Sequence, residues 1–166
     1  GNYNAAPDIS PDGRWLATGG SNDHKAKLWD AETGEHIRTF EGHSDWVLSL
    51  DFSSNGELLA TASGYKDGTV RVWNTSTGEC VRIIEKHTDA VFSVGFSDNR
   101  QLLTVAGRND PRAYLWDVDT WNLKQTFVTF TEIRRHVFSG AISPDGQWAI
   151  TSGNGNLAYL WDTESG

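Results

Sequence analysis

The same seven-residue frame occurs four times in this chain, and its spacing restricts the fold more than any other feature. The copies are DHKAKLW, DGTVRVW, DPRAYLW and, with its first residue changed, GNLAYLW. Their final residues, Trp29, Trp73, Trp116 and Trp161, are 44, 43 and 45 residues apart. A period in the low forties indicates supersecondary units that stack on one another.

The segments around each copy predict four short antiparallel strands per repeat. A turn such as SPDG precedes an apolar segment such as WLATGG. Segments rich in β-branched and aromatic residues precede these turns: WVLSLDF, AVFSVGF and HVFSGAI. A second turn, such as AETGE, follows the tryptophan and leads into a last strand such as HIRTF. Because one such sheet cannot bury both faces, the repeats must stack face to face around an axis.

In these motifs the chain resembles the WD-repeat family of β-propellers. Trp-Asp pairs end three of the four copies: Trp29-Asp30, Trp116-Asp117 and Trp161-Asp162. Trp73-Asn74 is a near match, and the family's Gly-His pair occurs as Gly42-His43 and as Lys86-His87. The resemblance covers essentially the whole chain and implies an all-β propeller of four blades. We divide the chain into repeats at about residues 1–41, 42–85, 86–130 and 131–166.

The resemblance also implies a hydrogen-bonded relay in each blade, formed by a histidine, a serine or threonine, the turn aspartate and the tryptophan. Repeat 2 supplies the full set: His43, Ser63, Asp67 and Trp73. The other matching residues lie in repeats 3 and 1: His87, Asp110, Trp116, Asp23 and Trp29. Repeat 3 has Ala106 or Gly107 in the serine position, and repeat 4 has Gly155 and Ile133 in the aspartate and histidine positions. The Gly-His pair of repeat 1 would lie before residue 1. We therefore expect blades 1 and 4 to lack the relay.

A serine, a histidine and an aspartate together also suggest a hydrolase. We favour the structural interpretation, because the set recurs from repeat to repeat and would lie between blades, away from substrate. A propeller enzyme would need acids, bases or metal ligands on the innermost strands, which offer mainly Val, Leu, Ser, Phe and Gly. The sequence shows no metal-ligand spacing and no phosphate-binding loop, so we predict neither a metal nor a cofactor.

Partner binding on such a scaffold is expected in loops. In the family, the residue that starts each first strand and the residue before each turn aspartate point to the top face. Trp46 is the strongest candidate, since a tryptophan in a polar loop is typical of an interface anchor. The other candidates are Tyr3, His136, Lys66, Asn22, Asn109, Arg134 and Arg135. We predict that Trp15 and Trp148 lie in the core and that Trp121 is exposed on the opposite face.

Charge and cysteine content narrow the class of partner and the compartment. The formal net charge is −8 and no basic block is present, which argues against nucleic acid and anionic membranes as partners. Cys80 is the single cysteine, so no intramolecular disulfide forms and a reducing, cytoplasmic compartment is favoured. No apolar run reaches the roughly 20 residues that a membrane helix needs.

The predicted strands number fifteen, because the outer strand of the last blade is not in the sequence. Three arrangements stay open: a segment of a longer propeller, two copies that meet as half-rings of an eight-bladed dimer, and an open monomer. A chain that begins with Gly1 and contains no methionine fits a processed or excised piece. The favoured function is a non-catalytic scaffold for a protein or peptide partner. The alternatives are a self-assembling half-propeller and, less favoured, a propeller enzyme with a channel active site.

Overall fold

The computed structural model describes residues 7–98, 100–107, 109–128, 137–153 and 157–166, and all regular structure within these ranges is β-strand. The strands are β1 Asp8–Ile9, β2 Trp15–Gly19, β3 Ala26–Asp30, β4 His36–Phe40, β5 Val47–Phe52, β6 Leu58–Ser63, β7 Val70–Asn74, β8 Cys80–Ile84, β9 Val91–Ser97, β10 Gln101–Ala106, β11 Arg112–Asp117, β12 Leu123–Val128, β13 Val137–Ile142, β14 Trp148–Gly153 and β15 Ala158–Asp162.

These strands form four antiparallel sheets, each made of strands that are consecutive in the sequence. Strands β1–β4 form blade 1, β5–β8 form blade 2, β9–β12 form blade 3 and β13–β15 form blade 4. The order of the strands in space equals their order in the chain, so a hairpin joins each neighbouring pair. The prediction of an all-β chain of four blades, the last without its outer strand, is confirmed. The sheets do not close into a ring.

A serine organises the turn between the first and second strands of blades 1, 2 and 4. The Trp15 amide donates to Ser10 Oγ over 2.9 Å, and the same hydroxyl donates to the carboxylate two residues later over 2.6 Å. Gly13 closes this turn with a φ of 74°, which residues with a Cβ rarely adopt. The turns at 53–56 and 143–146 repeat the arrangement. The SPDG-type motif therefore sets the hairpin at one end of each of these blades.

Apolar side chains fill each junction between neighbouring blades. Leu28 and Phe40 of blade 1 pack with Leu50 and Trp73 of blade 2. Similar clusters lie between blades 2 and 3 and between blades 3 and 4. Full burial of one such side chain contributes about 1.5–3 kcal/mol. We call the face of a blade that packs on the following blade its leading face.

The leading face of blade 4 is open, because blade 4 is the last blade of this sequence. Ile150 is 43% exposed and Leu160 is 66% exposed, whereas the corresponding residues of blades 1 to 3 are at most 2% exposed: Ala17, Ala60, Leu103, Leu28, Val72 and Leu115. The prediction that Trp148 lies in the core is wrong for the same reason, since its side chain is 45% exposed on this face. Trp15, its counterpart in blade 1, is half-buried against blade 2.

A threonine hydroxyl joins the relay inside blade 2. Trp73 donates from Nε1 to Thr61 Oγ1 over 2.8 Å, and His43 Nε2 lies 2.8 Å from the same oxygen. His43 Nδ1 lies 3.1 Å from Asp67 Oδ2 in the turn between β6 and β7. One buried hydroxyl thus links the third strand to the loop before β5 and to the turn after β6, with every member partnered.

The prediction that Ser63 occupies the centre of this relay is wrong. Ser63 lies two residues beyond Thr61, on the same face of β6 because side chains alternate along a strand. Its hydroxyl lies 3.1 and 3.0 Å from two backbone carbonyls just before β5 and donates to them. Ser63 therefore fastens the start of the first strand, and Thr61 carries the relay.

The full relay also forms in blade 3, where the sequence analysis placed Ala106 or Gly107 in the serine position. Ala106 is likewise two residues beyond the threonine that supplies the hydroxyl, and Gly107 is three beyond it. Thr104 supplies the hydroxyl, which accepts a hydrogen bond from Trp116 Nε1 over 3.1 Å and lies 2.8 Å from His87 Nε2. Blade 3 therefore has the complete relay.

The relay holds its two turn aspartates in the ionised form. Asp67 Oδ2 and Asp110 Oδ2 each lie 3.1 Å from the Nδ1 atom of the relay histidine. Burial raises the pKa of Asp67, but hydrogen bonds from His43, Thr69 and a loop amide outweigh burial and hold the pKa of that carboxyl well below its usual range. At Asp110, burial likewise raises the pKa, but the hydrogen bond from His87 lowers it, and the net effect is a lowered pKa.

Blades 1 and 4 keep the tryptophan–threonine half of the relay. Trp29 Nε1 donates to Thr18 Oγ1 over 2.9 Å, and Trp161 Nε1 donates to Thr151 Oγ1 over 3.0 Å. In blade 1, the turn aspartate Asp23 accepts a hydrogen bond from a lysine ammonium group over 2.6 Å. The substituted positions of repeat 4 lie outside the described residues: Ile133 and Gly155.

Carboxylates on the innermost strands cap the inner edge of the following blade. Asp8 Oδ2 accepts a hydrogen bond from the Phe52 amide over 2.8 Å, and Asp51 Oδ2 accepts one from the Phe96 amide over 2.6 Å. Burial raises the pKa of Asp51 to about 7; the Phe96 amide opposes this shift and the nearby carboxylate of Asp8 adds to it. Asp51 therefore titrates near neutral pH in the folded chain.

We predict that Thr61→Val destabilises the chain, because valine keeps the shape of threonine but leaves the Trp73 indole N–H and the His43 ring nitrogen without their shared partner. Each buried polar group left unpaired costs about 1–3 kcal/mol, so the free energy of unfolding in urea should fall by about 2 kcal/mol or more. The control Thr61→Ser keeps the hydroxyl and should cost about 1 kcal/mol for one lost methyl group. Equal losses in the two variants would show that the hydroxyl does not support the relay.

We also predict that Asp51→Asn removes a pH dependence of stability. Because folding raises the pKa of Asp51, the folded chain holds this proton more tightly than the unfolded chain does. The resulting stabilisation is fully present below the unfolded pKa of about 4 and is lost as the pH rises through about 7. The free energy of unfolding should therefore fall across this range in the parent chain relative to Asp51→Asn, whose amide oxygen can still accept from Phe96. A difference that stays constant with pH would contradict this assignment.

Candidate functional site

The loops at one end of the blades form a surface that we call the top surface. It comprises the described residues 20–25, 41–46, 64–69, 85–90, 107 and 109–111. The Val47 amide donates to the Gly20 carbonyl over 3.2 Å, which joins the loops of blades 1 and 2. Gly68 of blade 2 lies against the Asp89 carbonyl of blade 3, which a Cβ at position 68 would approach to 3.3 Å. The loops are thus in contact across three blades.

Two aspartates fasten the loops of blade 2 from opposite sides. The Ser44 amide donates to Asp67 Oδ2 over 2.6 Å, and the Lys66 amide donates to Asp45 Oδ2 over 2.9 Å, so each loop caps the other. Blade 3 repeats the arrangement with the corresponding residues: Asp110, Thr88, Asp89 and Asn109. Asp45 and Asp89 were not predicted from the sequence, although each follows a relay histidine by two residues, in HSD and HTD.

Three of the predicted contact residues lie on the top surface with exposed side chains. Asn22, Lys66 and Asn109 each stand directly before a turn aspartate. Trp46 is half-buried, and its amide donates to the carboxylate of Asp45 over 2.9 Å. The remaining four lie outside the described residues: Tyr3, Arg134, Arg135 and His136.

An aromatic row, formed by Tyr65, Phe92 and Phe138, crosses blades 2, 3 and 4. The ring centroids of Tyr65 and Phe92 are 6.1 Å apart at 81°, and those of Phe92 and Phe138 are 5.8 Å apart at 76°. These are edge-to-face contacts, which aromatic pairs prefer. Tyr65 is 58% exposed and Phe138 is 49% exposed. The Phe92 ring lies so close to Gly107 that a Cβ there would clash with it.

Irregular pairing turns Phe92 and Phe138 out of the strand ladder. Val91 and Ser93 pair with consecutive residues of β10, so Phe92 is left between them without a partner residue. The pairing of β13 with β14 skips Phe138 in the same way. A bulge re-aims the side chain of the extra residue. The row was not predicted from the sequence, because strict alternation gives no sign of a bulge, although both phenylalanines stand in the same tripeptide, VFS.

The serine, histidine and aspartate of repeat 2 do not form a catalytic triad. Ser63 donates to backbone carbonyls, and His43 contacts Thr61 in its place. The side chains of His43 and Asp67 are 1% and 3% exposed, which leaves no room for a substrate. Within the described ranges, no three His, Cys, Asp or Glu side chains are placed to hold a metal ion, and no helix is long and apolar enough to cross a membrane.

Curated relatives share this repeat pattern. A nuclear distribution protein PAC1 of Arthroderma otae is 31% identical over 151 residues, which are 86% of this chain and 32% of the relative. The PAC1 of Arthroderma benhamiae is 33% identical over 150 residues with the same coverage. The U3 snoRNP-associated protein-like EMB2271 of Arabidopsis thaliana is 52% identical over 44 residues, 26% of this chain and 9% of the relative. The chain spans about a third of the length of the PAC1 relatives.

The sequence profile described as "WD domain, G-beta repeat" matches residues 5–30, 34–74, 78–117 and 126–162. The second match runs from the outer strand of blade 1 through the third strand of blade 2, and the third match is offset in the same way. The sequence repeat therefore straddles two blades. With its four matches covering most of the chain and its four sheets stacked as blades, the chain belongs to the WD40-repeat family.

Proposed function

We propose that this chain is a non-catalytic protein–protein interaction scaffold, with a top surface that binds a protein or peptide partner within a larger cytoplasmic protein. The observation that carries the proposal is the aromatic row beside exposed amide and ammonium groups. Tyr65 and Phe138 expose large apolar side chains, and Lys66 directly follows Tyr65 in the chain. Asn109 stands two residues after Gly107, which lies against the Phe92 ring. Aromatic anchors with polar groups at the rim are the typical composition of an interface.

The contact residues that we propose combine the row with the residues expected from the sequence. Trp46, Lys66, Asn22 and Asn109 lie on the top surface, and the sequence adds Tyr3, Arg134, Arg135 and His136. The reciprocal aspartates Asp45 and Asp67 support this use, since loops that cap each other lose little conformational freedom when a partner binds. A rigid surface loses less conformational entropy on binding, so more of the contact free energy appears as affinity.

The relatives support a binding role over a catalytic one. Their names describe nuclear distribution and association with a U3 snoRNP, and neither of these names a reaction. The net charge of −8 disfavours direct contact with RNA, so a role in a ribonucleoprotein would require a protein partner. The absence of an intramolecular disulfide supports a reducing compartment.

The top surface can be tested with peptides selected from a random display library against the parent chain. We expect Tyr65→Ser/Lys66→Ala to weaken binding of the selected peptides at least tenfold, because it removes an exposed anchor and its neighbouring cation. The matched control, Leu123→Ser/Lys124→Ala, removes an exposed apolar residue and a lysine from β12 and should change the affinity less than twofold. Equal losses in both variants, or a library that yields no binder, would contradict a top-surface role.

A second candidate function is assembly through the leading face of blade 4. Ile150 and Leu160 are exposed there at positions that every preceding blade buries against its neighbour. The surface that fits them is the opposite face of another blade, either of a second copy or of a further repeat in a longer protein. A second copy would place two half-rings around one symmetry axis.

Light scattering across a concentration series tests this second candidate. We expect the parent chain to approach twice 18.4 kDa as its concentration rises, and Leu160→Glu to stay at 18.4 kDa, since a buried unpaired carboxylate opposes packing. The control Leu123→Glu places the same charge on an exposed outer strand and should associate as the parent does. A parent chain that stays monomeric, or a Leu160→Glu variant that still associates, would rule out the half-ring dimer.

A further inference from the structure

A groove lies between blades 1 and 2, at the end opposite the top surface. We call it the lower groove; its volume is about 270 Å³, and its lining residues are Trp15, Leu28, Ile37, Arg38, Thr75 and Ser76. Leu28 forms a buried base at 2% exposure, whereas Ile37 on β4 is 41% exposed. Drug-sized ligands occupy about 300–1,000 Å³, so the lower groove has the size for a single side chain.

Arg38 supplies a fixed, planar wall of this groove. Its Nη1 atom donates to the Thr77 carbonyl over 2.8 Å, and its Nη2 atom donates to the Ser76 carbonyl over 2.6 Å. The side chain crosses Gly78, where a Cβ would come within 2.8 Å of Arg38 Cδ. A guanidinium held in this way can stack on an aromatic ring without a further loss of side-chain entropy. Trp15 adds an aromatic wall.

The junction between blades 2 and 3 shows what covers the equivalent site. In the repeat alignment, Leu58 replaces Trp15, Val72 replaces Leu28, and Trp121 replaces Gly78. Trp121 keeps the backbone of a turn glycine, with a φ of 58°, and its amide bonds four residues back as that of Gly78 does. Its side chain is half-buried and packs, together with Leu58, on the cluster that contains Val72. The prediction that Trp121 is exposed therefore holds only in part.

The two junctions differ in which side chain lies at this turn: Arg38 between blades 1 and 2, and Trp121 between blades 2 and 3. Arg82, the counterpart of Arg38, is exposed, and the chain's own indole packs at its junction. Arg38 instead lies over a glycine and leaves a groove. The two junctions thus present the same site, once covered by an internal aromatic side chain and once open.

We infer that the lower groove binds an aromatic side chain presented by a protein partner, as Trp121 packs at the equivalent site of the next junction. The planar guanidinium and the indole wall favour a ring over an aliphatic side chain. This second contact lies at the far end of the blades and does not depend on the top surface.

Indole is a suitable probe, and the resonance of the Trp15 indole N–H in a ¹⁵N-labelled chain is a suitable reporter. We expect a saturable shift of this resonance in the parent chain. Arg38→Ala/Gly78→Trp reproduces the covered junction and should weaken indole binding at least tenfold. Trp121→Gly opens the other junction and should add a second site, seen as a saturable shift of the Val72 backbone amide resonance, because the Trp15 indole lies at the first junction. Cyclohexanol, an aliphatic ring of similar size, should bind more weakly than indole to the parent.

Two further variants keep the test decisive. Ile37→Asp changes an exposed rim residue, should leave the unfolding midpoint unchanged, and should weaken indole at least fivefold even if the double variant does not fold. Tyr65→Ser/Lys66→Ala, on the top surface, should bind indole as the parent does, so the two proposals fail independently. The inference is overturned if indole does not shift the Trp15 resonance, if Ile37→Asp binds indole like the parent, or if cyclohexanol binds equally well.

Discussion

Burial of one blade against the next is the interaction on which the rest of this structure depends. A sheet such as β1–β4 carries apolar residues on its leading face and has no helix to cover them. Leu28 and Phe40 are buried only because blade 2 places Leu50 and Trp73 over them. Leu160, at the same position as Leu28, is 66% exposed. The leading faces of blades 1 to 3 are therefore covered by the following blade, and the stability of each repeat includes the junction that it shares.

Apolar burial has no preferred direction, whereas the hydrogen bonds of the relay require set distances and angles. Thr61 can accept from Trp73 and contact His43 only when the third strand, the second strand and the preceding loop are in one register. Asp67 extends the same chain of hydrogen bonds to the turn between β6 and β7, and Asp45 in the loop before β5 accepts a hydrogen bond from the Lys66 amide of that turn. The loops of the top surface are thus positioned by buried hydrogen bonds, and an exposed residue such as Lys66 is carried on a fixed backbone.

The junctions share a plan but differ in their details, and the differences give each junction its own chemistry. Asp51 caps the inner edge of blade 3, but Gly95 stands at the corresponding position of the next junction and has no side chain to do so. Arg38 crosses a glycine between blades 1 and 2, whereas Trp121 packs between blades 2 and 3. Residues common to all repeats build the core, and residues that depart from the repeat are where recognition can develop.

The 44-residue period and the strand-turn patterns establish the fold class, the number of blades and the missing outer strand from the sequence, because periodicity is a local property of the chain. The identity of the relay hydroxyl was missed although a threonine recurs at this position in all four repeats: Thr18, Thr61, Thr104 and Thr151. Thr61 and Ser63 lie on the same face of β6, and contact with Trp73 from the next strand shows which of them joins the relay. The aromatic row depends on bulges at Phe92 and Phe138, and the lower groove depends on how two blades meet. Register, bulges and junction geometry arise from contacts between residues far apart in the chain, so they appear only once the blades are stacked.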